Sequence, residues 1–318
     1  METLPRIQAI LQKHFPSQPD PERAARECLQ LHEQGALIFP EDFPDGLKEI
    51  PQMPPWLFVR GSPALLHSGA CLAVVGTRRP SEYGLRAAYT FCRALMARGW
   101  CLVSGLARGI DTIAHSVSVV NRRPTVAVLG HGLDRIFPAQ NRALAAEIVQ
   151  GGGCLVSEFP PGTPPLPAHF PRRNRILSAL ACGVVVIEAG ERSGSLITAH
   201  HAIDQNRQVF VVPGPFDEEG FRGSHALIRQ GAQLVWHPQS VTDDLAPGLL
   251  PGVLPQEAPG EEQEPLRRVL KARGVASLEQ LHQDLGAWAR DLPAWIERGR
   301  QQGWLAEWGP QRFVYCGL

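Results

Sequence analysis

The sequence predicts an α/β fold built on a doubly wound, mostly parallel sheet. Between residues 71 and 238, short apolar runs alternate with segments of helical periodicity. The apolar runs are continuous, which is typical of strands that are buried on both faces. Helices that connect such strands cross over the sheet, so neighbouring strands run parallel and both faces become covered. These observations together predict a Rossmann-like domain.

Six segments are predicted as strands because each is a short apolar run that ends in a small or polar residue. They are LAVVG (72–76), CLVSG (101–105), TVAVLG (125–130), CLVSE (154–158), VVVIEA (184–189) and QVFVVPG (208–214). The segment 84–98 illustrates the helices between them. It places Ala88, Phe91, Cys92, Leu95 and Met96 on one face, at spacings of three and four residues.

The chain divides into four predicted parts: a small helical N-terminal domain (1–45), the Rossmann-like domain (46–238), a linker (239–261) and a C-terminal domain (262–318). The linker is rich in proline, glycine and acidic residues. The C-terminal domain is predicted to contain helices at 262–273, 277–285 and 291–302, followed by two short strands. Three helices before a hairpin is the order of a winged helix, and a generic small helical domain is the alternative.

Composition excludes several classes of protein. The chain has 318 residues, of which 44% are hydrophobic and 19% charged, so wholesale disorder is excluded. No apolar run approaches the roughly 18–20 residues that span a bilayer, and the N-terminus lacks a signal-peptide pattern. Seven cysteines show no zinc-binding spacing. We therefore expect a cytoplasmic protein without a membrane contact, a metal or a cofactor.

The charge is distributed unevenly although the formal net charge is zero. Residues 71–238 hold 17 basic and 11 acidic residues, a net charge of +6, while each flank carries −3. All 17 basic residues of this segment are arginines, which suit phosphate. A general replacement of lysine by arginine explains part of this bias, since the chain has only three lysines. It does not explain where the arginines lie.

Polar, glycine-rich loops follow the predicted strands at the edge where parallel sheets bind ligands. These loops are Gly76–Arg79, Ser104–Asp111, Gly130–Gly132 and Arg192–Ser195, and a helix nearby opens with Arg172–Arg175. A helix N-terminus suits phosphate, whereas arginines there are unfavourable unless an anion lies close. Neither GxGxxG nor a P-loop is present, so repeating phosphates fit better than a dinucleotide. Phe159, Phe170 and His131 are candidates for stacking on bases, with core packing as the alternative.

Several long motifs resemble the DNA-processing protein A family (DprA, also called Smf). They include VVGTRRPSEYG (74–84), VSGLARGIDTIAH (103–115), AVLGHGLDRIFPAQNRAL (127–144), HFPRRNRILSAL (169–180) and VVVIEAGERSGSLITAHHA (184–202). The resemblance implies a homodimer that binds single-stranded DNA, protects it in natural transformation and loads the RecA recombinase onto it. No catalytic residue is implied. A SAM-like fold for the N-terminal segment is a further implication.

The resemblance also implies site residues. Its GSR-type motif falls on Gly76, Thr77 and Arg78, with threonine in place of the commoner serine, and Arg172 occupies the variable position of its FPxRNRI motif. The predicted single-stranded DNA site comprises Gly76, Thr77, Arg78, Ser104, Gly105, Arg108, Phe170, Arg172, Arg173, Asn174, Arg175, Ser193, Gly194 and Ser195. The predicted dimer contacts are Leu227, Ile228 and Arg229.

Two alternatives remain open at this point. The first alternative is an enzyme that acts on nucleotides, because the Rossmann-like LOG phosphoribohydrolases resemble the same superfamily. These enzymes carry a glutamate at the position of Thr198 in this chain, so Glu158 or Glu188 would have to supply the missing carboxylate. The C-terminal domain either reads duplex DNA or contacts a protein. The net charge of −3 over the whole tail, residues 239–318, favours the protein contact.

Overall fold

A nine-stranded sheet forms the centre of the computed structural model, which describes residues 3–17, 20–245, 265–273, 275–301, 305–307 and 312–315. Its strands are β1 (Leu37–Ile38), β2 (Leu57–Gly61), β3 (Cys71–Val75), β4 (Cys101–Ser104), β5 (Thr125–Leu129), β6 (Cys154–Ser157), β7 (Gly183–Val186), β8 (Gln208–Val211) and β9 (Gln233–Leu234). Their spatial order is β1-β2-β6-β5-β4-β3-β7-β8-β9.

The strand order confirms the predicted doubly wound fold. Strands β3 to β9 are parallel to their neighbours, and β2 and β1 add antiparallel partners beside β6. From β3 the chain proceeds outward to β6, then returns to place β7 on the other side of β3. This reversal opens a crevice beyond the carboxyl ends of β3 and β7, where ligands bind in such sheets.

Ten helices accompany this part of the described chain. They are α1 (Thr3–His14), α2 (Pro21–Glu33), α3 (Asp45–Lys48), α4 (Glu82–Ala97), α5 (Ile110–Val120), α6 (Arg142–Gln150), α7 (His169–Ala179), α8 (Gly194–Asp204), α9 (Arg222–Arg229) and α10 (Pro238–Leu245). None of the described helices is both long and apolar enough to span a membrane.

Helices cover both faces of the sheet, which explains why the strand sequences are continuously apolar. Along β3, Ala73 and Val75 belong to the hydrophobic cluster that contains the apolar residues of α7 and α8. Leu72 and Val74 belong to the cluster formed with α4 and α5. The central strands β3 to β7 therefore bury odd and even positions alike, as inferred from the sequence.

Helix α4 begins two residues earlier than predicted because Ser81 caps it. The Ser81 side chain accepts a hydrogen bond from the backbone N–H of Gly84 at 3.0 Å. The Ser81 hydroxyl also donates to Oε2 of Glu188 at 2.8 Å. An N-cap serine commonly stabilises a helix in this way.

The N-terminal helices share a hydrophobic cluster with the central domain. Ile7, Leu11 and Cys28 pack in one cluster with Trp56 and Phe159. Strand β1 lies within the predicted N-terminal segment, yet it joins the large sheet through β2. The imidazole of His32 on α2 is 3.1 Å from the carbonyl of Leu37, at the outer edge of β1. The domain boundaries and the SAM-like assignment stay predictions.

The C-terminal part contains α11 (Pro265–Arg273), β10 (Val275–Ser277), α12 (Leu278–Leu285), α13 (Leu292–Gln301), β11 (Leu305–Glu307) and β12 (Arg312–Tyr315). Its three strands pair antiparallel in the order β10-β12-β11. Strand β10 was not predicted, and the winged-helix assignment stays a prediction. Part of the predicted linker, residues 239–245, is helical because Val241 of α10 is buried in the cluster with α4. The remaining linker residues lie outside the described ones.

Candidate nucleic-acid interface

A groove of about 790 Å³ occupies the crevice beyond β3 and β7. It lies between the loops that follow these strands and the first turns of α7 and α8. Its lining comprises Val75, Gly76, Thr77, Arg78, Arg79, Ala107, Asp111, Phe137, Pro165, Pro167, Phe170, Pro171, Arg173, Asn174, Leu177, Gly190, Arg192, Ser193, Gly194, Ser195, Ile197 and Thr198. The groove therefore lies at the edge of the sheet that the sequence indicated.

Three exposed arginines give the groove a positive rim. Arg78 and Arg79 follow β3, and Arg192 precedes α8. None of the three forms an ion pair with another residue in the described part of the chain. The Arg78 guanidinium lies 5.7 Å from the centroid of the Phe170 ring. These cations are therefore available to an anion that enters from solvent.

Arg173 forms the floor of the groove, and backbone carbonyl groups beneath the groove hold its guanidinium in place. It is 4% exposed, and its Nη1 donates to the carbonyls of Gly105, at 2.9 Å, and Val128. Burial lowers the pKa of Arg173 to about 10, against the opposing effect of Asp111, so it remains charged at neutral pH. A Cβ atom at Gly105 would lie 2.7 Å from Nη1 of Arg173. Glycine is therefore required at position 105 so that the guanidinium can lie there.

Asp111 is the one carboxylate among the described residues that line the groove. Its Oδ2 accepts hydrogen bonds from the backbone N–H groups of Gly105, at 3.2 Å, and Ala107, at 3.3 Å. Burial is the main cause that raises its pKa, and the charge of Arg173 opposes that rise. These bonds hold the loop between β4 and α5 in place, so Oδ2 of Asp111 is already engaged by the protein.

The loops after β3 and β4 meet at Gly109. The backbone N–H of Ile110 donates to the carbonyl of Thr77 at 3.2 Å. Gly109 has φ +78°, and a Cβ atom there would collide with the same Thr77 carbonyl. Only glycine fits this position without strain, and the contact fixes the loop that carries Arg78.

Helix α8 points its N-terminus at the groove. The hydroxyl groups of Ser193 and Ser195 lie 2.7 Å apart, and Ser193 is the N-cap. A Cβ atom placed on Gly194 would meet no atom within 4 Å among the described residues, so the first turn is open to an approaching ligand. The unpaired N–H groups of such a turn and the helix dipole favour an anion.

Arg172 and Arg175 do not line the groove, because both bind Glu158. Oε2 of Glu158 accepts from Nη2 of Arg172 at 3.0 Å and from Nη2 of Arg175 at 2.7 Å. Glu158 is fully buried, and Arg175 is 5% exposed. Arg172 also lies over the rings of Phe15 and Phe159, with its guanidinium carbon 5.4 and 5.3 Å from their centroids. The anion expected beside these arginines is therefore a side chain of the protein itself.

The structure thus places nine of the fourteen predicted site residues in the groove lining, namely Gly76, Thr77, Arg78, Phe170, Arg173, Asn174, Ser193, Gly194 and Ser195. Besides Arg172 and Arg175, three others lie outside it. Ser104 and Gly105 are buried beneath the groove, where the Ser104 hydroxyl donates to the carbonyl of Val74 at 2.7 Å. Arg108 is exposed and does not contribute to the lining.

Sequence reasoning missed Phe137 and the rim arginines Arg79 and Arg192 as individual site residues. Both arginines stood in the strand-end loops that the sequence singled out. Phe137 is 47% exposed and lines the groove. The sequence feature that could have indicated it is the Phe-Pro pair in the motif 127–144. Phe159 and His131 are each 1% exposed, so they cannot stack on a base in this conformation.

The two glutamates required by the nucleotide-hydrolase alternative lie elsewhere. Glu188 is 3% exposed and accepts hydrogen bonds from the backbone and hydroxyl of Ser81. Glu158 is the partner of Arg172 and Arg175. Neither glutamate lines the groove, so neither is placed there to act as the base of that reaction.

The predicted dimer contacts lie on α9, next to the edge strand β9. Leu227 is 2% exposed and packs in the core, whereas Ile228 is half-buried and Arg229 exposed. Leu234 and Trp236, at the same edge, are 46% and 77% exposed. The surface at this edge is therefore formed by Ile228, Arg229, Leu234 and Trp236 rather than by Leu227.

Comparison with known proteins points to one family. The family model for DNA recombination-mediator protein A matches residues 34–246. The chain is 48% identical to Protein Smf of Escherichia coli strain K12 over 66% of its own length, and spans 56% of that protein. It is 39% identical to the DNA processing protein DprA of Bacillus subtilis strain 168 over 69% of its own length and 75% of that protein.

Solved structures agree with this result. DprA from Streptococcus pneumoniae matches with a TM-score of 0.63 and 32% identity, over 76% of this chain and 93% of that one. DprA from Helicobacter pylori, whose structure describes a single-stranded DNA binding mode, matches with a TM-score of 0.59 and 31% identity, over 64% of this chain and 93% of that one. The chain belongs to the DprA family of DNA recombination mediators.

Proposed function

We propose that the groove between β3 and β7 binds single-stranded DNA, and that the protein protects this strand and loads the RecA recombinase onto it in natural transformation and recombination. The observation that carries the proposal is the convergence of cationic groups at one edge of the sheet. Arg78, Arg79 and Arg192 form the rim, Arg173 the floor and the α8 N-terminus one wall.

The form of the groove favours a chain of phosphates over a small cofactor. Its cations come from three separate segments, namely the loop after β3, helix α7 and the loop before α8, and its only described carboxylate, Asp111, is bound to backbone N–H groups. Phosphate contacts of this kind supply affinity without reading sequence. The single-stranded DNA binding described for the Helicobacter pylori relative supports the same ligand.

The test is fluorescence anisotropy of a labelled oligo-dT at increasing salt concentration. The logarithm of the binding constant should fall linearly with the logarithm of salt, with a slope of about −0.7 per phosphate contact. Arg78→Ala should weaken binding of dT, dC and dA oligonucleotides alike and should reduce the slope by about 0.7. Arg123→Ala is the matched control, because Arg123 is exposed at the amino end of β5. Binding without salt dependence would contradict the proposal.

The proposed homodimer would use the edge formed by Ile228, Arg229, Leu234 and Trp236. Exposed apolar side chains of this size beside a free strand edge are typical of a protein contact. Trp236→Glu should shift the molar mass in light scattering from that of two chains to that of one. A mass of one chain for the unmodified protein would refute the dimer.

RecA loading is tested separately, by the rate of RecA filament formation on a single strand covered with a single-strand-binding protein. The unmodified protein should shorten the lag, and Arg78→Ala should not. An unchanged lag with the unmodified protein would refute this part of the proposal. The C-terminal domain, predicted to contact duplex DNA or a protein, is outside both tests.

A further inference from the structure

One part of the groove lining is apolar. It consists of Phe137, Pro165, Pro167, Phe170 and Pro171, and we call it the aromatic wall. We propose that the aromatic wall is a nucleobase subsite in which the Phe137 ring stacks on one base. This inference rests on the proposed function, because it assigns a partner to the bases of the strand whose phosphates the arginines bind.

Phe137 leaves nearly half of its side chain exposed to solvent inside the groove. It is 47% exposed, and its ring centroid lies 6.0 Å from that of Phe170 at an angle of 41°. The two rings are tilted against each other, so Phe170 covers only part of the Phe137 ring. An aromatic side chain that leaves so much surface in water, inside a groove, has an unused stacking face.

The loop that carries Phe137 is fixed at several points. The Ser157 hydroxyl donates to the carbonyl of His131 at 2.7 Å, and the backbone N–H of Gly162 donates to Oδ1 of Asp134 at 2.9 Å. The Asn141 amide donates to the carbonyl of Leu106 at 2.9 Å. Because the loop is held on both sides of Phe137, a ligand that stacks on the ring does not have to order it first.

The spacing of the two rings decides where the base lies. A base inserted between them would need about 7 Å between the ring planes, since each stacked face requires about 3.5 Å. The observed centroid separation is 6.0 Å, so a base cannot enter between Phe137 and Phe170 without moving one of them. It stacks instead on the free face of Phe137.

The aromatic wall and the arginines are close enough to serve one nucleotide. The Arg78 guanidinium lies 5.7 Å from the Phe170 centroid, so a cation adjoins the wall directly. A single strand presents a phosphate and an unpaired base at each nucleotide. In duplex DNA the bases are paired and stacked, and their faces cannot reach Phe137. The subsite therefore explains preference for single strands, and it tolerates any sequence because every base has a π-face.

The experiment compares two ligands and four proteins. The ligands are an oligo-dT and an abasic oligonucleotide of the same length, and the proteins are the unmodified chain, Phe137→Ala, Phe137→Trp and Leu166→Ala. Leu166 is the matched control, since it is 48% exposed in the segment between Pro165 and Pro167 but does not line the groove. Affinity is measured by anisotropy, and stacking by the quenching of 2-aminopurine placed in the oligo-dT.

We expect Phe137→Ala to lower the affinity for oligo-dT about tenfold and to abolish the quenching, with the affinity for the abasic oligonucleotide and the salt slope unchanged. Phe137→Trp and Leu166→Ala should bind like the unmodified protein. An equal loss on both ligands, or no loss on either, would overturn the subsite while phosphate binding stands. If the unmodified protein binds neither ligand, the proposed function fails and the subsite fails with it.

Discussion

The buried carboxylate of Glu158 offers a direct test of what fixes α7. It is fully buried, and its Oε2 binds both Arg172 and Arg175. Glu158→Gln keeps the shape of the side chain but removes the charge. Arg175, at 5% exposure, would then be a buried cation without a counterion. Its Nε and Nη1 already lack a hydrogen-bond partner among the described residues, so no other group compensates for the loss.

The magnitude follows from burial. Breaking a buried ion pair on one side costs about 3–5 kcal/mol, which is a large part of the 5–15 kcal/mol that stabilises a typical domain. Arg172 contributes little to this cost, because its side chain is 36% exposed and water can solvate it. We therefore expect Glu158→Gln to lower the free energy of unfolding by roughly 3–5 kcal/mol, mostly through Arg175.

Urea unfolding followed by circular dichroism measures this change. Glu41→Gln is the control, since it breaks the exposed pair between Glu41 and Arg6, whose side chains are 57% and 43% exposed. It should cost at most about 1 kcal/mol. The double variant Glu158→Gln/Arg175→Met should recover at least half of the loss, because it removes the stranded cation. A loss below about 1 kcal/mol for Glu158→Gln, or a double variant no more stable than the single one, would refute the reasoning.

Two further predictions concern the floor of the groove and pH. Gly105→Ala forces a Cβ atom against the Arg173 guanidinium. We therefore expect it to lower the free energy of unfolding by about 1–3 kcal/mol and to weaken oligo-dT binding. Unchanged binding would argue against Arg173 as the floor cation. Burial lowers the pKa of His115 from 6.5 to about 3, so the unfolded chain takes up a proton first as pH falls. Its contribution to stability is complete above pH 6.5 and is lost towards pH 3, with about 2 kcal/mol lost between pH 7 and 5. His115→Asn should flatten urea-unfolding stability over this range, and equal slopes would contradict the assignment.

Local patterns in the sequence were sufficient to predict the central strands. The apolar run 72–76, for example, matched the observed β3 to within a residue at each end. A strand that is buried on both faces needs apolar residues at every position, so its sequence is a continuous apolar run. The position of the groove followed from the same step, since the carboxyl ends of parallel strands share one edge. The sheet edge was harder to predict. Strands β1 and β2 are antiparallel to their neighbours, and the place of β2 in the sheet depends on its pairing with the distant strand β6 rather than on local composition.

A site residue could be predicted from the sequence when the end of a strand determines its position. It could not be predicted when contacts with a distant residue determine where its side chain lies. Gly76 to Arg78 line the groove because a strand ends beside them. Arg172 and Arg173 are neighbours in sequence, yet one binds Glu158, fourteen residues away, and the other the carbonyls near β4 and β5. Phe137 belongs to a loop whose path is set by bonds to Ser157 and Gly162, and no periodicity encodes such a path.

The two margins of the large sheet differ in a way that limits assembly. At one margin, the His32 imidazole lies 3.1 Å from the carbonyl of Leu37 at the outer edge of β1, so this side is protected against pairing with another chain. At the other, β9 lies beside the exposed Leu234 and Trp236. A molecule with a single exposed apolar sheet edge can cover that edge with one identical neighbour, and the resulting two-fold contact leaves no further copy to bind there. For the proposed homodimer we therefore expect pairs of chains rather than open fibres.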